Sequence, residues 1–202
     1  MIVGMNHPLR CRCGTLQGYV ESSSSATRAV CYCRDCQAYA RFLDTPGALD
    51  ENGGTEVVAS LPKHVHFTSG LEALSCLSLS KQGLLRWYAS CCDTPIGNTP
   101  RNPKVPYVGL IHSCLEGDSS FIESAFGRRR IAVNTKSARS DVRSTPVATI
   151  VSVLGLMVSA LGDRLSGAYK RNPFFAIETG TPIRSVRVLS SSERERAYGR
   201  GA

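Results

Sequence analysis

Apolar and polar positions alternate over short stretches through the first 115 residues, and Gly, Pro and Ser interrupt them often. Alternation of this kind predicts half-buried strands at Gly14–Val20, Thr27–Tyr32, Thr55–Ser60, His64–Thr68, Ala73–Leu79, Leu84–Ser90 and Val105–Leu115. Ser22–Ser25 reads as a hairpin or loop tip, and Asp50-Glu-Asn-Gly-Gly54 as a turn. Between them, Arg34–Leu43 predicts a short helix that stops before Pro46-Gly47. The first half is therefore expected to be mainly β.

The pattern changes after Glu116. Asp118–Phe126 predicts a short helix, Arg130–Asn134 a strand and Ser137–Ser144 a polar link. Thr145–Leu165 is a long apolar stretch with no charge between Ser144 and Gly162. Its strongly apolar part is shorter than the ~20 residues that cross a bilayer. A helix packed on the domain or in a homodimer interface is thus expected in preference to a membrane span. Ser190–Ala202 reads as a frayed tail.

Length and composition bound the picture. The 202 residues, 42% hydrophobic and 20% charged, suffice for one well-buried core with an elaboration. Net charge is +8, and all the excess lies in the second half, most densely at Arg128-Arg129-Arg130 with Lys136, Arg139 and Arg143 following. Such a run is either a solvated basic face or a contact for nucleic acid or a small anion. The first residues hold no basic segment leading into a long apolar run, so export is not expected and the expected compartment is the cytoplasm. In that compartment clustered cysteines are metal ligands or redox groups rather than disulfides.

Seven of the nine cysteines fall in three clusters: Cys11-Arg-Cys13-Gly14, Cys31-Tyr-Cys33-Arg-Asp-Cys36 and Cys91-Cys92. Thiolates one or two residues apart chelate one ion from a single backbone turn, which points to zinc. Cys31, Cys33 and Cys36 can supply three local ligands and leave a fourth position for water or substrate, the pattern of a catalytic zinc. Three thiolates on a divalent ion suit it to hold an incoming thiol. Cys11 and Cys13 can join the distant Cys91-Cys92 pair in a structural site. Neighbouring residues in a strand face opposite ways, so Cys92 is the expected ligand, with Cys91 either completing the tetrahedron through a bent backbone or lying free. One structural zinc with spare thiols is the plainer alternative.

Other residues carry less. Cys76 and Cys114 sit in apolar runs and read as small buried hydrophobes. His64 and His66 share a strand face and could reach a metal or substrate, though partly exposed sheet surface is the plainer reading. Asp35, between two ligands, is either a solvated loop charge or a proton carrier. Trp87 and Tyr88 fit core packing.

These motifs resemble the glutathione-dependent formaldehyde-activating enzyme family, which shares its domain with centromere protein V. The family pattern is Cys-x-Cys-Gly, then Cys-His-Cys-x-x-Cys, then an aromatic followed by Cys-x-x-Cys-Gly-Thr. Cys11–Gly14 matches the first element. Cys31–Cys36 matches the second, with Tyr32 in place of His. In Arg86–Pro95, Cys92 takes the last cysteine, Ala89 stands where the other would be, and Asp93 replaces Gly. The resemblance covers about residues 8–112 and implies a β-tent type zinc-binding fold of short antiparallel strands, with a C-terminal α-helical elaboration. The implied organisation is a zinc-binding β domain at 1–116, an elaboration at 117–189 with a helix at about 145–166, and a flexible tail at 190–202. It further implies a structural zinc on Cys11, Cys13 and Cys92, with Cys91 as substitute fourth ligand, and a catalytic zinc on Cys31, Cys33 and Cys36. The chemistry it implies is that of a carbon–sulfur lyase on a thiol–aldehyde adduct of glutathione and formaldehyde type. A non-catalytic zinc module that binds nucleic acid or protein through its basic half is the alternative.

Overall fold

A computed structural model describes residues 4–45 and 47–199. Pro46, at the expected helix stop, and the last residues of the expected tail, 200–202, lie outside the described residues. The strands are β1 (Asn6–Arg10), β2 (Gln17–Glu21), β3 (Thr27–Cys31), β4 (Thr55–Ser60), β5 (Val65–Ser69), β6 (Leu74–Ser78), β7 (Leu85–Ala89), β8 (Thr94–Thr99), β9 (Val108–Ile111), β10 (Arg130–Val133) and β11 (Val186–Val188). Four helices accompany them: α1 (Arg34–Phe42), α2 (Ser119–Phe126), α3 (Pro146–Ser166) and α4 (Ser191–Ala197). The protein is mainly β.

Two sheets and a helical layer stack on one another. The small sheet runs β1-β2-β5, and the large one β10-β3-β4-β9-β8-β7-β6-β11. Pairing is antiparallel except at the two edges, where β10 lies parallel to β3 and β11 parallel to β6. Both edge strands come from the second half of the chain, which is thereby woven into the same sheet as the first.

Strand alternation sorts side chains into two cores. Leu9, Val20 and Val65 of the small sheet meet Val58, Leu85, Trp87, Ile96 and Leu110 of the large one. On the opposite face, Val57, Leu77 and Ile111 pack with Tyr39 and Leu43 of the α1 region and Ala197 of α4. The fully buried Trp87 donates its indole N–H to Thr99 Oγ1 at 2.9 Å and leans on Phe174, 5.1 Å between ring centroids. The Tyr39 hydroxyl of α1 donates to the Trp87 carbonyl of β7 at 2.7 Å.

β8 is a strand the pattern does not predict. Thr94-Pro-Ile-Gly-Asn-Thr99 holds three residues that disfavour strands, yet all six positions are buried. Pro95 is accommodated where the β7–β8 register shifts between Trp87 and Tyr88. Gly97 is required by closeness, because a Cβ there would lie 3.0 Å from the Gly109 carbonyl oxygen. Ser22–Ser25 is a loop but not a hairpin, since β2 and β3 belong to different sheets. The expected frayed tail is helical at Ser191–Ala197, where Ser190 and Glu193 form a capping box.

The long apolar helix is present, but it does not bury its apolar residues on the domain. Among its 21 residues only Asp163 is buried.

His7, which the pattern does not single out, is completely buried between Phe121 and Phe126. Burial holds its pKa below the ordinary imidazole value. The folded state thus resists protonation where the unfolded chain accepts it. The stability difference is absent above the unfolded pKa of about 6.5 and grows as pH falls below it. Urea midpoints at neutral pH and at mildly acidic pH are expected to differ less in His7→Phe than in wild type. An equal acid loss in both proteins would assign the effect to other groups.

Candidate metal centres

Four sulfurs converge where the N-terminal turn meets the β7–β8 turn. Cys11 Sγ lies 3.6 Å from Cys13 Sγ and 3.8 Å from Cys91 Sγ; Cys91 Sγ lies 3.2 Å from Cys13 Sγ and 3.8 Å from Cys92 Sγ. All four lie within 4.8 Å of one another. Tetrahedral zinc with bonds near 2.3 Å places its sulfurs about 3.8 Å apart, so the set fits one ion. Cys91 and Cys92 are both brought in because they sit in a turn, where strand alternation no longer applies. Asp93, in the left-handed region at φ 54°, closes that turn.

Backbone and hydroxyl donors support these sulfurs. Gly14, at φ 79°, lets the first turn close with its N–H on the Cys11 carbonyl at 2.9 Å. The Leu16 N–H donates to Cys11 Sγ at 3.3 Å, and the Thr94 hydroxyl lies 3.1 Å from Cys92 Sγ. Cys13 is drawn down to about 6, chiefly by the Thr15 hydroxyl. Burial would push Cys92 up, but the hydroxyl and N–H of Thr94 bring it below the ordinary thiol value. Donors aimed at sulfur favour thiolate, the form that binds metal. Arg12 ties the two turns together, its guanidinium donating to the Cys92 carbonyl at 2.8 Å and its N–H to Thr94 Oγ1 at 3.0 Å.

Cys31, Cys33 and Cys36 form the second cluster, their sulfurs also within 4.8 Å of one another. Cys31 ends β3. Cys33 caps α1, its sulfur accepting from the Cys36 N–H at 3.3 Å, and Cys36 lies in the first turn. Gln37 holds the loop by donating to the Tyr32 and Ser137 carbonyls at 2.9 and 2.8 Å. Hydrogen bonds from Cys33 and then Cys36 hold Cys31 far below the ordinary thiol range, and the same contacts raise the other two. No fourth Cys, His, Asp or Glu joins this group among the described residues.

Three residues that the sequence reading passes over border this cluster. Asn134, left-handed at φ 57° just beyond β10, donates its amide to Cys31 Sγ at 3.4 Å. Tyr107 is pushed up to about 12 by burial and by the three sulfurs beside it. The guanidinium of Arg86, its side chain only 2% exposed, lies 4.0 Å from Cys36 Sγ and 3.8 Å from Asp35 Oδ2. It donates to Asn98 Oδ1 at 3.0 Å and lies over the Tyr39 ring. An arginine in the middle of a predicted strand is the one signal that pointed to it. With a divalent cation bound, its charge would offset the net −1 of the three thiolates. Arg86→Met is expected to cost about 3 kcal/mol in urea unfolding and to weaken metal binding at this cluster at least tenfold. Unchanged metal affinity would remove Arg86 from the site.

The remaining candidates lie elsewhere. His64 and His66 both reach Glu21, at 3.1 and 3.0 Å, and His66 stacks on Tyr19. Neither belongs to a metal-ligand group among the described residues. Cys76 and Cys114 are buried in the core. Asp35 accepts from the Tyr198 hydroxyl at 2.5 Å. The basic run is partly neutralised, Arg128 by Glu123 and Arg130 by Glu56.

Next to α1 the surface is recessed. A cavity of about 350 Å³ is lined by Arg34, Gln37, Arg41, Lys136, Ser137 and Tyr198, and a wider one by Arg34, Asp35 and Arg194 among others. Arg41 donates to the Gln37 side chain and the Ala197 carbonyl, and among the described residues its charge meets no carboxylate there.

Fold and site together define a mixed-sheet protein with two cysteine clusters, each able to hold a metal ion. The chain belongs to DUF6151, a family of unknown function whose profile matches residues 3–186. No curated protein matches it. Among solved structures, a crystal structure of a Rhodobacter sphaeroides protein is similar, at 18% identity and a TM-score of 0.42, covering 55% of this chain and 90% of that one.

Proposed function

We propose that the protein is a zinc enzyme of carbon–sulfur lyase type, acting on a thiol–aldehyde adduct at Cys31, Cys33 and Cys36, while Cys11, Cys13, Cys91 and Cys92 hold a structural zinc. The observation that carries the reading is the difference between the clusters: four sulfurs make up one, and the other has three and no fourth ligand among the described residues, while its sequence neighbours Arg34, Asp35 and Gln37 line recesses next to it. A β-tent type fold and kinship with the glutathione-dependent formaldehyde-activating enzymes belong to the same proposal, on the strength of the three cysteine motifs.

Zinc at three thiolates supplies a coordination position that favours an incoming thiol as thiolate. The chain does the rest. Cys31, Cys33 and Cys36 hold the ion, Asn134 fixes the Cys31 sulfur, and Arg86 offsets the added negative charge. Arg34, Arg41 and Lys136 offer charge to the carboxylates of a glutathione-like thiol. In the forward direction a carbon–sulfur bond forms by addition of the thiol across the aldehyde C=O, and the thiol proton ends on the new hydroxyl oxygen. In reverse that bond breaks and the proton returns to sulfur. Asp35, hydrogen-bonded to Tyr198 at the mouth of the recess, is the group placed to carry the proton.

The test is exchange between glutathione, formaldehyde and their adduct, followed by magnetisation-transfer NMR with the zinc-loaded protein. Acceleration over the uncatalysed rate supports the reading. No acceleration, with zinc retained at both clusters, overturns it. Binding to nucleic acid that weakens steeply with salt would favour the non-catalytic alternative instead.

A further inference from the structure

The helix α3 (Pro146–Ser166) is amphipathic in the inverted sense. Its half-shielded positions are Ala148, Thr149, Ser152, Leu156, Ser159 and Ala160, which with buried Asp163 form one stripe of mostly small or polar residues turned toward the domain. Large apolar side chains point away. Val147, Ile150, Leu154, Val158, Leu161 and Leu165 are between 56% and 80% exposed. With Val151, Val153 and Met157, which are exposed as well, their arc covers roughly 160° of the circumference at 3.6 residues per turn. An outward apolar face of this size marks an interaction site.

Both ends of the helix are fastened to the domain. The Thr145 hydroxyl accepts the Ala132 N–H of β10 at 2.9 Å. Asp163 pairs with Lys63 at 2.6 Å. A few residues later the chain re-enters the main core at the fully buried Phe174. A helix about 31 Å long is long enough to cross a hydrocarbon layer, but its two ends would then lie on opposite sides while both belong to one packed domain. The helix must lie flat.

Charge decides what covers it. Exposed Arg143 precedes the helix, Arg164 lies at its end, and Lys170 and Arg171 follow; none is paired with a carboxylate among the described residues. Self-association in either orientation would bring these like charges together. Paired helices in water also carry charged residues beside a narrow apolar seam, and here no charge flanks the arc before Asp163. An anionic lipid surface satisfies both features, taking the apolar arc into its acyl boundary and the four cations at its headgroups. We infer that α3 docks the protein in-plane on an anionic membrane surface.

Sedimentation of the full-length, zinc-loaded protein with vesicles tests this. Vesicles of phosphatidylglycerol and phosphatidylcholine in equal parts are expected to bind it at least tenfold more tightly than phosphatidylcholine alone, with binding weakened by salt and reversed by alkaline carbonate. The double variant Leu154→Glu/Val158→Glu, altered only at exposed positions, is expected to lose at least tenfold in binding while keeping its zinc content and circular dichroism. Three results would overturn the inference: no binding to anionic vesicles, resistance to carbonate as for a spanning helix, or a dimer in solution that the double variant dissociates.

Discussion

Cys33→Ser is expected to lower bound zinc from two ions per chain to one while the fold survives. Serine still caps α1, since its hydroxyl can accept the Cys36 N–H as the Cys33 sulfur does. It is a poor zinc ligand, so the substitution separates the two roles of Cys33. The loss in stability should stay below about 1 kcal/mol, because the first cluster and both cores are untouched. Exchange of the thiol–aldehyde adduct should fall at least about a hundredfold, or some 2.7 kcal/mol in barrier. Metal analysis, urea unfolding and the NMR assay on one preparation check all three. If zinc content did not change, the three-cysteine cluster would hold no ion; if the fold were lost with the ion, the site would be structural.

Cys91→Ala is expected to do the opposite, costing stability far beyond its surroundings. Cys91 is exposed, and an exposed substitution without special partners changes stability by about 0.5 kcal/mol or less. An ion bound by Cys11 and Cys91 cross-links positions 80 residues apart. Removing Cys91 opens this exposed tetrahedron to water, and release of the ion from the three remaining sulfurs then removes a cross-link worth about 4 kcal/mol in the chain-entropy account. For a chain of this length that corresponds to about 10 °C in melting temperature. Calorimetry of the zinc-loaded protein decides between the two magnitudes. A shift of a degree or two would mean that Cys91 is a spare thiol and that only Cys11, Cys13 and Cys92 bind.

The clusters themselves were legible because metal chelation by neighbouring thiolates is a local property. Cys11-x-Cys13 and Cys31-x-Cys33-x-x-Cys36 each lie on one turn of backbone, so sequence spacing and spatial spacing coincide. The same holds for α1, β4, α2 and α3, whose periodicity runs unbroken and whose observed bounds fall within a residue or two of the expected ones. Strand β8 was invisible because burial on every position, not propensity, makes Pro95, Gly97 and Asn98 part of a sheet. Strand β11 shows the same limit from another side: three residues long, it is held by parallel pairing with β6, more than a hundred residues away.

The sequence by itself determined the mainly β character, the three cysteine clusters and a long apolar helix with no charge before Asp163. Each depends on residues within one turn or one element of each other, where covalent geometry fixes the distance. Only the tertiary structure decided that Cys91 and Cys92 both reach Cys11 and Cys13, since that requires the bend at Asp93 and the meeting of two distant turns. It alone brought Arg86 and Asn134 to the three-cysteine cluster, from strands that share nothing with it but the sheet. It also decided which way α3 faces. The pattern of that helix has a small polar side and a large apolar one, and only the fastening of Thr145 and Asp163 to the domain turned the apolar side outward.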